Sequence, residues 1–283
     1  MRRPLSALVG AIQDGRFLKF VFLGMLALTV GTVTQDFRAM LALAPAGAPG
    51  SQRIDPAPMR LPEPGDQTRP YLPRTMPMGP DRSAPALPGF DRLPVAADMS
   101  APMKFALGAG GRASALGTID SGAAERFKAF LAENDWQAIG ELVLHSPGGS
   151  VSDALEMARM VRDAGISTHV PKNGYCASSC PLIFAGGLHR KAVDPAFVGV
   201  HQVFAVPPAV GTLQKGMRDA QTISALCQQL LIDMGIDLTV WVKAMQTPPE
   251  QLYIFTQEEL ERFGLSNAAA RPGIPKSRPA QAG

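Results

Sequence analysis

Ile139-Gly140-Glu141-Leu142-Val143-Leu144-His145-Ser146-Pro147-Gly148-Gly149-Ser150 runs from an apolar stretch into a glycine turn. Ile139 to Leu144 has the length and continuous apolar character of a buried strand. Pro147-Gly148-Gly149 turns the chain. Ser152 or Asp153 then starts a helix through Met157, Met160 and Val161, and Gly165 stops it. Upstream, Arg112 to Leu116 reads as a strand closed by Gly117. Asp120 or Ser121 can cap a following helix to about Glu133, with Ala124, Phe127, Phe130 and Leu131 on one face. Downstream come a strand over Ile166 to Val170 and an apolar run, Leu182-Ile183-Phe184-Ala185, that predicts a buried helix opened by Ser178. Ala192-Val193 and Phe197 to His201 supply further short strands, and helices are expected over Gly216 to Met234 and Leu238 to Met245. Strands alternating with helices predict an α/β fold with a parallel sheet.

Tyr175-Cys176-Ala177-Ser178-Ser179-Cys180 follows Gly174, and Val198-Gly199-Val200-His201-Gln202 is a later strand-like run ending in a histidine. A serine, a later histidine and a glycine pair able to present backbone N–H groups are the parts that acyl transfer needs. Each has a plainer explanation alone. Serine suits a helix N-cap, a strand-end histidine is usually a satisfied polar group, and glycine pairs often precede helices. Ser179 is an adjacent alternative, since helix geometry lets only one of the two serines face a site. The ordered set points to Ser178 with His201. His145, His169 and His189 read as structural or exposed.

The chain has 283 residues, a net charge of +3 and 26 prolines. Its basic residues are scattered and not interleaved with aromatics, which argues against a nucleic-acid binder. Gly108-Ala109-Gly110-Gly111 lacks the following helix and lysine of a phosphate-binding loop, and no cofactor site is expected. Residues 45–102 read as a proline-rich linker without a core. Residues 103–267 suffice for one domain, and 268–283 read as a disordered tail. Arg2, Arg3, Arg16 and Lys19 precede the apolar run Phe20 to Val33. With Phe17 and Leu18 that run could span a thin or tilted bilayer. Residues 1–44 are therefore expected to be a cytoplasmic N-terminus and uncleaved signal anchor, with the rest exported. The alternative is a cleaved signal peptide, for which Ala42-Leu43-Ala44 is a candidate site.

Cys176 and Cys180 lack the cysteine or histidine partners of a metal site, so no metal is expected. A disulfide suits export, and becomes feasible if Cys176 lies in the loop before the helix. Cys227 reads as a buried free thiol.

Ser146-Pro147-Gly148-Gly149-Ser150-Val151, Gly174-Tyr175-Cys176-Ala177-Ser178, Gly186-Gly187 with Arg190, His201-Gln202, and Phe255 to Leu260 with Phe263-Gly264-Leu265 occur in that order. Over roughly Ala113 to Ser266 the chain resembles the Clp protease proteolytic-subunit group of the crotonase-like superfamily, and its paired cysteines resemble a predicted periplasmic subgroup. The resemblance implies an α/β fold of the ClpP/crotonase type, built from repeated β-β-α units. It implies Ser178 as nucleophile, His201 as general base, and the N–H groups of Gly149 and Ser179 as oxyanion donors. The family's aspartate has no counterpart in Met245-Gln246-Thr247-Pro248-Pro249-Glu250. Glu250, or Thr247 through its hydroxyl, is the candidate third member. The implied protein is a serine peptidase without cofactor, acting on peptides or proteins and anchored by one helix in a bacterial inner membrane. Its catalytic domain would lie in the periplasm, and homo-oligomers are compatible with it. The competing expectations are an inactive domain of the same fold that binds a peptide or partner, and an acyl-thioester enzyme of the crotonase type.

Overall fold

The computed structural model describes residues 16–43, 58–72, 80–81, 83–90, 99–203 and 213–267. The chain divides into two units, Met1–Asp55 and Pro56–Gly283. In the first, the apolar run lies within α1 (Arg16–Leu43), where Phe20, Phe22 and Leu28 are exposed. Among the described residues, no helix is long and apolar enough to cross a membrane. Arg2, Arg3 and the tail 268–283 lie outside the described residues.

The second unit is mixed α/β with two sheets. Its strands are β1 (Thr68–Pro70), β2 (Lys104–Leu107), β3 (Arg112–Leu116), β4 (Glu141–His145), β5 (Ser167–Val170), β6 (Tyr175–Ala177), β7 (Arg190–Ala192), β8 (Phe197–Val200) and β9 (Gln251–Ile254). One sheet runs β2-β3-β4-β5-β7 and is parallel except for β2. The other runs β1-β9-β8-β6, with β6 and β8 parallel and β9 antiparallel to both its neighbours. The helices of this unit are α2 (Ala123–Glu133), α3 (Val151–Asp163), α4 (Cys180–Gly186), α5 (Leu213–Asp233), α6 (Thr239–Gln246) and α7 (Gln257–Arg262).

Two successive β-β-α units, β5-β6-α4 and β7-β8-α5, each place their first strand in the larger sheet and their second in the smaller. The sheets meet where β4 ends. Ser146 N–H donates to the Tyr175 carbonyl at 2.7 Å, and Ala177 N–H donates to the Ser146 carbonyl at 3.0 Å. The glycine turn after β4 is thereby carried to the end of β6, where Ser178 follows.

The helix starts differ in detail from those expected. The N-cap of α2 is Gly122, not Asp120 or Ser121. Its open N–H groups are satisfied from a distance, as the Asp153 carboxylate accepts from Gly122 N at 3.0 Å and Ala124 N at 3.1 Å. For α3 the cap is Ser150, whose hydroxyl accepts from Asp153 N. Asp153 thus sits in the first turn of one helix and caps another, which local propensity cannot reveal.

Phe127, Leu142, Leu144, Met157, Ile166, Ile183 and Phe184 belong to the main apolar core. A second cluster joins Val143, Tyr175, Phe197, Leu252 and Ile254 to Leu87 and Met99, with Met59, Tyr71 and Phe90 packed against it. That cluster corrects the domain start at 103 and the expected linker over 45–102 where the latter is described; 45–57, 73–79, 82 and 91–98 lie outside the described residues. Thr68–Pro70 forms an edge strand on β9, and Leu87 and Met99 are 5% and 1% exposed. Burying a side chain of that size contributes about 1.5–3 kcal/mol, so these parts of the segment are domain, not linker.

Candidate active site

β6 ends at Ala177, and the chain then turns sharply. Ser178 has φ 61°, a left-handed conformation that costs a non-glycine residue about 1–3 kcal/mol. Three ties hold it there. Ser178 N–H donates to the Gly199 carbonyl at 3.0 Å. Cys176 is bridged to Ser146 in the β4 extension. A disulfide joins Cys176 to Cys180 around the serine. The N-cap of α4 is Ser179, which makes no side-chain cap hydrogen bond. Its hydroxyl donates to the Gly149 carbonyl at 3.2 Å. The Ser178 hydroxyl is no helix cap either: its oxygen lies 2.7 Å from His201 Nε2.

His201 follows β8 and is 4% exposed. Its Nδ1 lies 2.9 Å from the Pro249 carbonyl oxygen. A carbonyl can only accept, so Nδ1 carries the proton and Nε2 presents a lone pair to the serine hydroxyl. Burial lowers the imidazole pKa below its ordinary value, and the Pro249 bond works in the opposite direction. The ring is therefore suited to be neutral, and a base, near neutral pH.

Glu250 is not the partner of Nδ1, which corrects the expected third member. Its side chain is exposed just before β9, and its carbonyl accepts from Tyr71 N–H at 2.9 Å. The Thr247 hydroxyl is spent on the Lys243 carbonyl at 2.8 Å, at the end of α6. The group presented to the ring comes from the peptide between them.

Gly148 and Gly149 have φ 95° and 144°. A Cβ on Gly148 would fall 2.6 Å from Ser178 Cβ and 2.9 Å from Ser179 N, and one on Gly149 would fall 2.2 Å from the Ile119 carbonyl oxygen. Only glycine allows this approach. Among the described residues, neither the Gly149 nor the Ser179 N–H donates a hydrogen bond to another backbone group. Two open N–H groups beside a serine hydroxyl can hold an oxyanion.

Gly149, Ser178, Ser179 and His201 border a pocket of about 260 Å³, walled by Leu182, Leu231, Trp241 and other apolar side chains. No charged residue lines it among the described residues. His145, read as structural, is fully buried. Its Nδ1 accepts from Tyr175 N–H at 3.0 Å, and burial drives its pKa down to about 4. Among the described residues, no group of three histidine, cysteine or acidic side chains could hold a metal ion.

Sequence reasoning missed Tyr71, which also lines the pocket. Its ring lies 4.5 Å from that of His201, centroid to centroid, at 48°. The available signal is a bulky aromatic inside a stretch that otherwise reads as a proline-rich linker without a core.

No protein family matches the chain, and no curated protein matches it. One solved structure similar to it is a serine-to-alanine mutant of 1510-N, a membrane-bound stomatin-specific protease. The two share 14% identity at a TM-score of 0.42, over 55% of this chain and 75% of that one.

Proposed function

We propose that this protein is a serine hydrolase of the ClpP/crotonase type that cleaves peptides, with Ser178 as nucleophile and His201 as general base. The observation that carries this reading is the 2.7 Å contact from Ser178 Oγ to an imidazole whose far nitrogen is fixed by the Pro249 carbonyl. In the acylation step Ser178 Oγ bonds to the substrate carbonyl carbon while its proton moves to His201 Nε2. The oxyanion faces the N–H groups of Gly149 and Ser179. The carbon–nitrogen bond then breaks, and the departing amine takes the proton from Nε2. Water deacylates the serine by the reverse proton path. Pro249 fixes the tautomer but carries no full charge, so it stabilises the imidazolium less than a carboxylate and slow turnover is expected. The apolar walls formed by Leu182, Leu231 and Trp241 suit an apolar side chain next to the cleaved bond.

Membrane anchoring through the N-terminal segment and a periplasmic position belong to the same proposal. Their support is the basic residues before Phe20, the exposed apolar side chains of α1, and a disulfide suited to an oxidising compartment. Activity of an alkaline phosphatase fused after Pro102 tests the export. Cleavage of a mixed peptide pool, followed by mass spectrometry, tests the chemistry. Loss of all cleavage in Ser178→Ala and His201→Ala supports it, and equal cleavage in Ser178→Ala removes it.

A further inference from the structure

We propose that Tyr71 is a positioning residue, holding the glycine turn, the Pro249–Glu250 turn and the His201 ring in mutual register from the proline-rich segment. The inference rests on the hydrolase reading and extends it to a residue outside the pair. Three contacts carry it, each reaching a different loop of the site. Tyr71 N–H donates to the Glu250 carbonyl at 2.9 Å, next to the carbonyl that fixes His201 Nδ1. Tyr71 O–H donates to the Pro147 carbonyl at 2.6 Å, at the start of the glycine turn. The Tyr71 ring packs against His201.

The segment that delivers Tyr71 is itself fixed. Thr68, Arg69 and Pro70 pair in register with Tyr253, Leu252 and Gln251 of β9. Gln67 Nε2 hydrogen-bonds the Glu259 carboxylate, inside the capping box of α7. Tyr71 is therefore seated from both its backbone and its hydroxyl. The Pro249 carbonyl holds the imidazole at Nδ1, and the tyrosine ring supports its face. Burial holds the Tyr71 phenol up to about 12, against a smaller opposing effect of the Ser178 hydroxyl, so it stays protonated and cannot replace His201 as base. No acid or cation lines the pocket among the described residues to share that task.

The test uses the full chain and a fluorophosphonate probe, measuring the labelling rate of Ser178 from pH 5 to 9. Wild type is compared with Tyr71→Phe, Tyr71→Ala and Leu87→Ala. Tyr71→Phe keeps the ring and N–H and should slow labelling about three- to tenfold, as for one lost hydrogen bond, with the apparent pKa unmoved. Tyr71→Ala should slow it about 100-fold, the scale of a small misalignment. It should also raise the apparent pKa toward that of ordinary histidine, because water reaches the ring. Leu87→Ala loosens the cluster that Tyr71 packs against, at a residue outside the pocket lining, and should leave the pH profile unchanged. Tyr71→Ala labelled at the wild-type rate with an unmoved pKa overturns the proposal while the hydrolase reading stands. Faster labelling overturns it too, since the segment would then obstruct the site. If Tyr71→Ala fails to fold by circular dichroism, Tyr71→Phe decides, and an unchanged rate overturns the proposal. Wild type that never labels removes both readings together.

Discussion

His201 Nδ1 and the Pro249 carbonyl oxygen stand 2.9 Å apart, so a backbone group occupies the position that a catalytic triad gives to a carboxylate. The carbonyl sets the tautomer and the ring angle. It adds no negative charge, and so leaves the imidazole pKa under the control of burial.

Glu250→Gln should therefore change hydrolysis by no more than about threefold, the scale of an exposed charge acting from outside the site. Steady-state turnover of the purified variant checks this. A loss approaching that of His201→Ala would make the Glu250 carboxylate the orienting group and displace Pro249 from that role.

The pH dependence has a definite sign. A depressed pKa means His201 sheds its proton earlier as pH rises. Activity should climb through an apparent pKa below the ordinary histidine value of about 6.5 and stay level to pH 9, since Tyr71 ionises only near 12. A pH–rate profile for kcat/KM measures it. A midpoint above 7 would mean a negative charge stabilises the imidazolium, contrary to the geometry.

The Cys176–Cys180 disulfide encloses the strained Ser178, at a sequence separation of only 4. So short a loop contributes about 2 kcal/mol of global stability in the chain-entropy account. It should also act locally, on the serine it encloses. Cys176→Ala with Cys180→Ala should slow probe labelling at least tenfold and lower Tm by a few degrees. Cys227→Ala should leave labelling unchanged, because that thiol is buried and pushed up to about 12. Wild-type labelling in the double variant would contradict the role given to the bridge.

His145 gives an acid-stability signature separate from the chemistry. Its folded pKa of about 4 lies below the unfolded value of about 6.5. The unfolded chain thus binds the extra proton first. Its contribution is complete above pH 6.5 and is lost as pH falls toward 4, on the order of 3 kcal/mol in all. His145→Leu should flatten that part of the stability curve. It should also cost about 1–3 kcal/mol at pH 7, since Tyr175 N–H loses its acceptor. Urea midpoints across pH 4 to 8 test both parts, and an unchanged acid slope in His145→Leu would refute the assignment.

What could be read in advance was local. The strand over Leu142 to Leu144, the glycine turn and the buried run Leu182 to Ala185 announce themselves by apolar continuity and turn chemistry, and all three lie within a few residues of where they were expected. Ser178 and His201 stand out in the sequence because serine and histidine are residue types that nucleophilic catalysis uses. Pro249 does not, since it acts through a carbonyl that every residue has. Asp153 as the cap of α2, and Leu87, Met99 and Tyr71 as parts of the domain, depend on contacts made between distant segments. Proline-rich composition concealed those last three, because it signals extended chain whether or not that chain is packed.

The most direct measurement is the site of covalent modification. Full-length protein is treated with a fluorophosphonate, digested and mapped by mass spectrometry. One adduct per chain is expected, on Ser178, absent in Ser178→Ala and slowed by about 10⁴-fold or more in His201→Ala. Folded protein that carries no adduct, or carries it on Ser179 or elsewhere, would contradict the claim that Ser178 and His201 form a nucleophile–base pair.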